Sequence, residues 1–155
     1  MSDYLRANPD LADFVQALAK HNVAFLVVGG HALGVHTKPR ATKDLDVWLE
    51  PSVNNRQRVA AALQAYGTPP SVQQHLLLAK EADIVWFGRP PNRIDMMFEL
   101  PGVDFGAALQ RAVRVPSGDQ LVAVIGLEDL IRNKQTVGRP QDLLDVQALR
   151  SARGG

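Results

Sequence analysis

No cysteine occurs among the 155 residues, which excludes disulfides and thiolate metal sites. Neither sign of charge dominates. Seventeen basic residues against sixteen acidic ones leave a net charge of +1, so no global field marks nucleic acid or membrane as a partner. No apolar run approaches membrane-spanning length, and Met1-Ser-Asp-Tyr-Leu-Arg6 lacks a basic stretch followed by an apolar one. The expectation is a cytoplasmic protein with no membrane partner. Repeats, low-complexity tracts and an interdomain linker are also missing. With 46% apolar and 21% charged residues, the chain reads as one globular domain, 1–155, long enough for a core.

Several familiar chemistries are excluded by missing pieces. Gly29 and Gly34 have the gap of a Walker loop, but Val35-His36 stands where Lys-Ser/Thr is required. His31 occupies the second glycine of a dinucleotide-binding turn. His31 and His36 are five apart with no neighbouring glutamate, which is not the arrangement of a zinc helix. His21 and His75 read as incidental. There is no nucleophile elbow and no serine placed for a hydrolase triad.

What is present centres on Gly29 to Leu49, GGHALGVHTKPRATKDLDVWL. The apolar run Val23–Val28 enters it as a buried strand. It stops at Gly29-Gly30, and a short helix begins at His31-Ala32-Leu33. The chain then returns as Asp44-Leu-Asp-Val-Trp-Leu49 with period two, which sends Asp44 and Asp46 to one strand face and Leu45, Val47 and Leu49 to the other. Adjacent carboxylates repel unless a cation lies between them, and a hard divalent ion such as Mg²⁺ suits oxygen ligands. The glycine turn offers backbone N–H groups at a helix N-terminus, where a phosphate can sit. Arg40, Thr42 and Lys43 lie in a polar loop between, and its basic side chains, Lys38, Arg40 and Lys43, can add charge neutralisation.

Around this centre the pattern predicts further elements. A helix starts at Asn8-Pro9-Asp10 with an apolar stripe of Leu11, Phe14, Val15 and Leu18. Pro51-Ser52 caps a second helix to Tyr66 with Val53, Val59, Ala60 and Leu63 inward, and Gly67-Thr-Pro-Pro70 ends it. Ser71–Ala79 fits either a helix or a strand. Ile84–Phe87 and Arg93–Phe98 form a hairpin about Gly88–Asn92. Its second arm places Asp95 as a third acid if it pairs beside the Asp44–Leu49 strand; Asp83 and Glu99 are the alternatives in another register. A short helix at 104–112 and short edge strands at 113–115 and 121–125 follow. Two closing helices span Leu127–Lys134 and Gln141–Arg150, with Pro140 near the first turn of the last one.

Gly29-Gly30, then Asp44-Leu45-Asp46, then Asp95, in that order and spacing, resembles the nucleotidyltransferase superfamily with the DNA polymerase β-like fold, particularly its small prokaryotic members. Leu130–Lys134 with Gly138–Asp145 is similar to the C-terminal segment of small bacterial members related to abortive-infection toxins. The resemblance implies a mixed β-sheet flanked by helices (α/β, or α+β) and transfer of a nucleoside monophosphate from an NTP to a hydroxyl acceptor. It implies Asp44, Asp46 and Asp95 as catalytic residues and as ligands of two Mg²⁺ ions, with Mn²⁺ possible. Gly29, Gly30, His31, Arg40, Thr42, Lys134 and Asp142 would bind the nucleotide, Asp145 being the alternative to Asp142. The acceptor stays open among an RNA or tRNA end, a protein and a small molecule, as does a place in a toxin–antitoxin pair. Two rival readings remain: a catalytically silent module that binds a nucleotide or a protein partner, and a structural interaction protein.

Overall fold

The computed structural model describes residues 8–38 and 44–154. Helix α1 (Pro9–Lys20) starts as the sequence predicts. The Asn8 side chain accepts the Leu11 N–H, Pro9 takes the first turn, and Leu11, Phe14, Val15 and Leu18 are buried. Strand β1 (Phe25–Val28) leads without a loop into α2 (Gly29–His36), and β2 (Leu45–Leu49) returns beside it. Helices α3 (Val53–Tyr66) and α4 (Pro70–Leu78) precede the hairpin β3 (Ile84–Phe87) and β4 (Ile94–Met97). Helix α5 (Phe105–Gln110), hairpin β5 (Val113–Ser117) and β6 (Gln120–Val124), and helices α6 (Leu127–Val137) and α7 (Pro140–Gly154) complete the chain.

The six strands form one mixed sheet in the order β3-β4-β2-β1-β6-β5. β1 pairs antiparallel with β2 and parallel with β6, while β2 pairs parallel with β4. Parallel pairing needs a crossover, and α3, α4 and β3 supply it between β2 and β4. The expected α/β architecture, a mixed sheet flanked by helices, is therefore the observed one. Leu45, Val47 and Leu49 are buried on one sheet face. On that face Phe14 of α1 meets Phe87 and Tyr66 edge-on at ring separations of 5.5 and 5.3 Å. Asp46 and Trp48 occupy the other face, where Trp48 packs edge-on against Phe105 of α5 at 5.0 Å.

Three sequence expectations change. Val53 points outward at 69% exposure, because it starts α3 beyond the capping Ser52. Ala60 is only half-buried, whereas Ala62 and Asn55 are buried. Asn55 donates to the carbonyls of Ala24 and Glu50 and accepts the Ala24 N–H, tying the entry of β1 to the exit of β2. β6 lies inside the sheet rather than at its edge, since β1 pairs with it; β5 and β3 are the edges. The ambiguous 71–79 segment resolves as the helix α4, with only Leu76 buried.

Candidate active site

The site is built where β1 ends. Gly29 adopts φ +65°, in the left-handed region, and a Cβ there would overlap Asp46 Oδ2. Only glycine lets the backbone come this close to the carboxylate. Helix α2 then begins, and no side chain caps its N-terminus, Val28 being the N-cap residue. Its first N–H groups and the positive end of its dipole are left for another acceptor.

Register sets the acids. Asp46 lies opposite Val28 on one side and Asp95 on the other, in the parallel β2–β4 pair. Neighbouring strands lie about 4.8 Å apart, so the two carboxylates project side by side. Asp44 precedes β2 by one residue and Asp46 by two, which returns it to the same face. Burial, then the negative charges of Asp95 and Asp44, push the Asp46 carboxyl up from 3.8 to about 6; the cations of Lys134 and Arg93 oppose the rise. Asp44 Oδ1 is buried with no hydrogen-bond partner among the described residues. Uncompensated carboxylate charge and an orphaned buried oxygen are what a hard divalent cation would satisfy, so these residues fit Mg²⁺ by chemistry. Among the described residues, however, no group of three or more His, Asp or Glu side chains is disposed as a finished metal cage. Asp95 is paired instead with Arg93, whose Nε donates to Asp95 Oδ1 at 2.8 Å.

Arg93 stands beside the acids, a neighbour to which the sequence pattern gives no role. The sequence places it only at the start of a strand, yet Arg-x-Asp on a strand puts both side chains on one face. Its guanidinium lies 4.5 Å from the centroid of the Trp86 ring. The hydrogen bond to Asp95 and the charges of Asp95, Asp44 and Asp46 raise its pKa.

Lys134 on α6 is buried, with Nζ 2.9 Å from Asp145 Oδ2 and 3.5 Å from Asp142 Oδ1. The lysine therefore engages both candidate acids, and Asp145 more closely. Gln141 holds the second oxygen of Asp145, while Asp142 accepts from the Arg139 backbone and guanidinium. The Lys134 cation acts on Asp46 in the direction opposite to burial, lowering its pKa. His31, in the first turn of α2, is buried, and burial lowers its pKa to about 4. It is a neutral imidazole at pH 7, not a cation. Arg40, Thr42 and Lys43 lie outside the described residues. Asp83 and Glu99, the alternative third acids, are exposed and off the Asp46 register. His36 anchors α2 through Nε2 to the Ile125 carbonyl oxygen at 2.7 Å.

No protein-family model matches the chain, and no curated protein sequence matches it. Among solved structures it is similar to an antigenic nucleotidyltransferase-like protein from Paracoccidioides brasiliensis. That likeness has a TM-score of 0.54 at 17% identity, covering 97% of this chain and 75% of the other. In addition, no helix among the described residues is long and apolar enough to cross a membrane. With strand order, glycine turn and acid register in place, the chain has a nucleotidyltransferase-like fold.

Proposed function

We propose that the chain is a Mg²⁺-dependent nucleotidyltransferase, moving a nucleoside monophosphate from an NTP to a hydroxyl acceptor. One observation carries the reading: Asp44, Asp46 and Asp95 share a sheet face at the foot of an uncapped helix N-terminus, with Gly29 clearing the approach. The N-terminal N–H groups of α2 hold the β- and γ-phosphates of the donor. Lys134 adds positive charge on the same side. Asp44, Asp46 and Asp95 would hold Mg²⁺, which supplies charge neutralisation on the triphosphate and a more acidic acceptor hydroxyl when bound.

The acceptor oxygen forms a bond to the α-phosphorus as the bond from that phosphorus to the α,β-bridging oxygen breaks. Pyrophosphate leaves with the electron pair. The hydroxyl proton passes to Asp95 and then to solvent. Little covalent work falls to the protein; positioning and electrostatics carry the step. The resemblance to toxin-type members makes a toxin–antitoxin pair the setting to examine first, in the cytoplasm, with ATP as the first donor to try.

The second reading, a silent nucleotide-binding module, draws on the Arg93–Asp95 pair, which satisfies the third acid without a metal. A thermal-shift series with four NTPs, with and without Mg²⁺, on wild type and Asp46→Asn separates the two. Ligand at about a hundred times its Kd stabilises by roughly 2.7 kcal/mol. A Mg²⁺-dependent shift that Asp46→Asn abolishes supports the transferase. A shift indifferent to both supports the silent module, and no shift with any NTP removes the donor site.

A further inference from the structure

The sheet register continues past Asp95. Trp86 on β3 is its antiparallel partner, and residues directly opposite in such a pair share a face. The row across the sheet is therefore Val28, Asp46, Asp95, Trp86. On one side of the acids stand the Gly29 turn and Lys134, which the proposed function gives to the donor triphosphate. The other side carries a tryptophan that is 55% exposed on an edge strand. Arg93 lies over the ring while holding Asp95.

We propose that Trp86 and Arg93 form the acceptor subsite, and that it takes the terminal nucleotide of a single-stranded nucleic acid. The proposal rests on the transferase reading and names the acceptor class for it. The indole supplies a stacking surface that tolerates any base. The guanidinium supplies a fork for the terminal phosphodiester. Both stand beside the acid assigned to the acceptor hydroxyl, so a nucleotide bound there by base and phosphate has its sugar facing Asp95. Arg93 then changes partner from Asp95 to the strand, which frees the carboxylate for its role in transfer. Charge complementarity favours a strand over an apolar protein segment here, because the exposed ring carries a cation and the hairpin turn adds Arg89. Away from Asp95, Trp86 is also one wall of an open groove of about 630 Å³ between α4 and β3, lined by His75, Leu78 and Ile84 among others. That groove gives the preceding nucleotide somewhere to go, which a mononucleotide acceptor would not use.

The test is fluorescence anisotropy of a labelled trinucleotide RNA with a free 3′-hydroxyl, in Mg²⁺, on wild type, Trp86→Ala and Trp86→Phe. The Mg²⁺–NTP thermal shift is read on the same proteins. The expected result is binding by wild type, a loss of about tenfold in Trp86→Ala and near-wild-type affinity in Trp86→Phe, with the NTP shift unchanged in all three. Arg93→Ala should bind the trinucleotide more weakly and with a shallower salt dependence, by about 0.7 in the log–log slope. Equal affinity in wild type and Trp86→Ala overturns the subsite. So does failure of wild type to bind the RNA while NTP still stabilises it, an outcome that leaves the donor site standing and gives the Trp86 surface to another occupant such as a protein. Trp86-dependent RNA binding without any NTP shift supports strand binding at this platform and sinks the donor reading alone.

Discussion

Asp46 and Asp95 are register partners across the parallel β2–β4 pair, so the site holds two carboxylates in adjacent strands with Asp44 nearby. Burial of Asp46, together with the charges of its neighbours, sets a cost on its ionisation that a stability experiment can read.

For Asp46, a native pKa of about 6 against an ordinary 3.8 means that the native state binds the proton more tightly than the unfolded chain. Stability from this group is fully present below about pH 4 and is lost as pH rises through 6. Asp46→Asn, which cannot ionise, should therefore be more stable than wild type at pH 7.5, by on the order of 1–3 kcal/mol. The gap should close as pH falls from 6 to 4. Urea denaturation of both proteins across that window checks it; a gap independent of pH would mean that the cost of ionising the buried Asp46 beside Asp95 and Asp44 is not the cause.

Arg93 neutralises part of the same cluster. Removing it should raise the affinity of the acids for a divalent cation, since Asp95 loses its competing partner. Arg93→Ala should bind Mn²⁺ tighter by roughly two- to fivefold, a modest factor because the arginine is partly solvated. Titration calorimetry with Mn²⁺ in the absence of nucleotide measures this, and weaker binding in the variant would show that Arg93 organises the acids rather than competing for them.

Gly29→Ala meets two penalties at once, the left-handed backbone and the overlap with Asp46 Oδ2. The first alone costs about 1 kcal/mol, so the variant should lose more than that. Asp46→Gly in the Gly29→Ala background should recover the excess, leaving only the backbone cost. Chemical denaturation of the four proteins of this cycle separates steric from conformational strain.

Lys134 sits between two buried aspartates. Lys134→Met should cost about 3–5 kcal/mol, because it strands uncompensated negative charge. Adding Asp145→Asn should return part of it. A double-mutant cycle by urea unfolding gives the coupling, and near-additivity would place the ammonium's main partner elsewhere.

The strands around the site were legible because their side-chain periods are simple. Asp44-Leu-Asp-Val-Trp-Leu announces its two faces, and Ile94, Met96 and Phe98 do the same for β4. Asp95 followed once those strands were laid together. Less legible were features decided by tertiary neighbours. Val72, Leu76, Leu77 and Leu78 suit either period, and in α4 Leu77 and Leu78 are left in solvent. Asn55 is buried for hydrogen bonds to residues 24 and 50, which no local pattern announces. β6 reads as an edge in the sequence because its partner β1 lies about a hundred residues earlier in the chain. Arg93 and Trp86 were visible as residue types, but their joint relation to Asp95 exists only through the β3–β4 register.

The crossover between β2 and β4 has a consequence for the chain as it is made. Asp46 meets Asp95 only after residues 47–94 have folded back as two helices and a strand, and Lys134 arrives from a helix later still. A ribosome-bound chain halted before β4 carries the glycine turn and the first acid pair but lacks the third acid. Under the proposed transferase reading, a truncated or nascent product would lack the third acid, and the site would be complete only once β4 has joined the sheet.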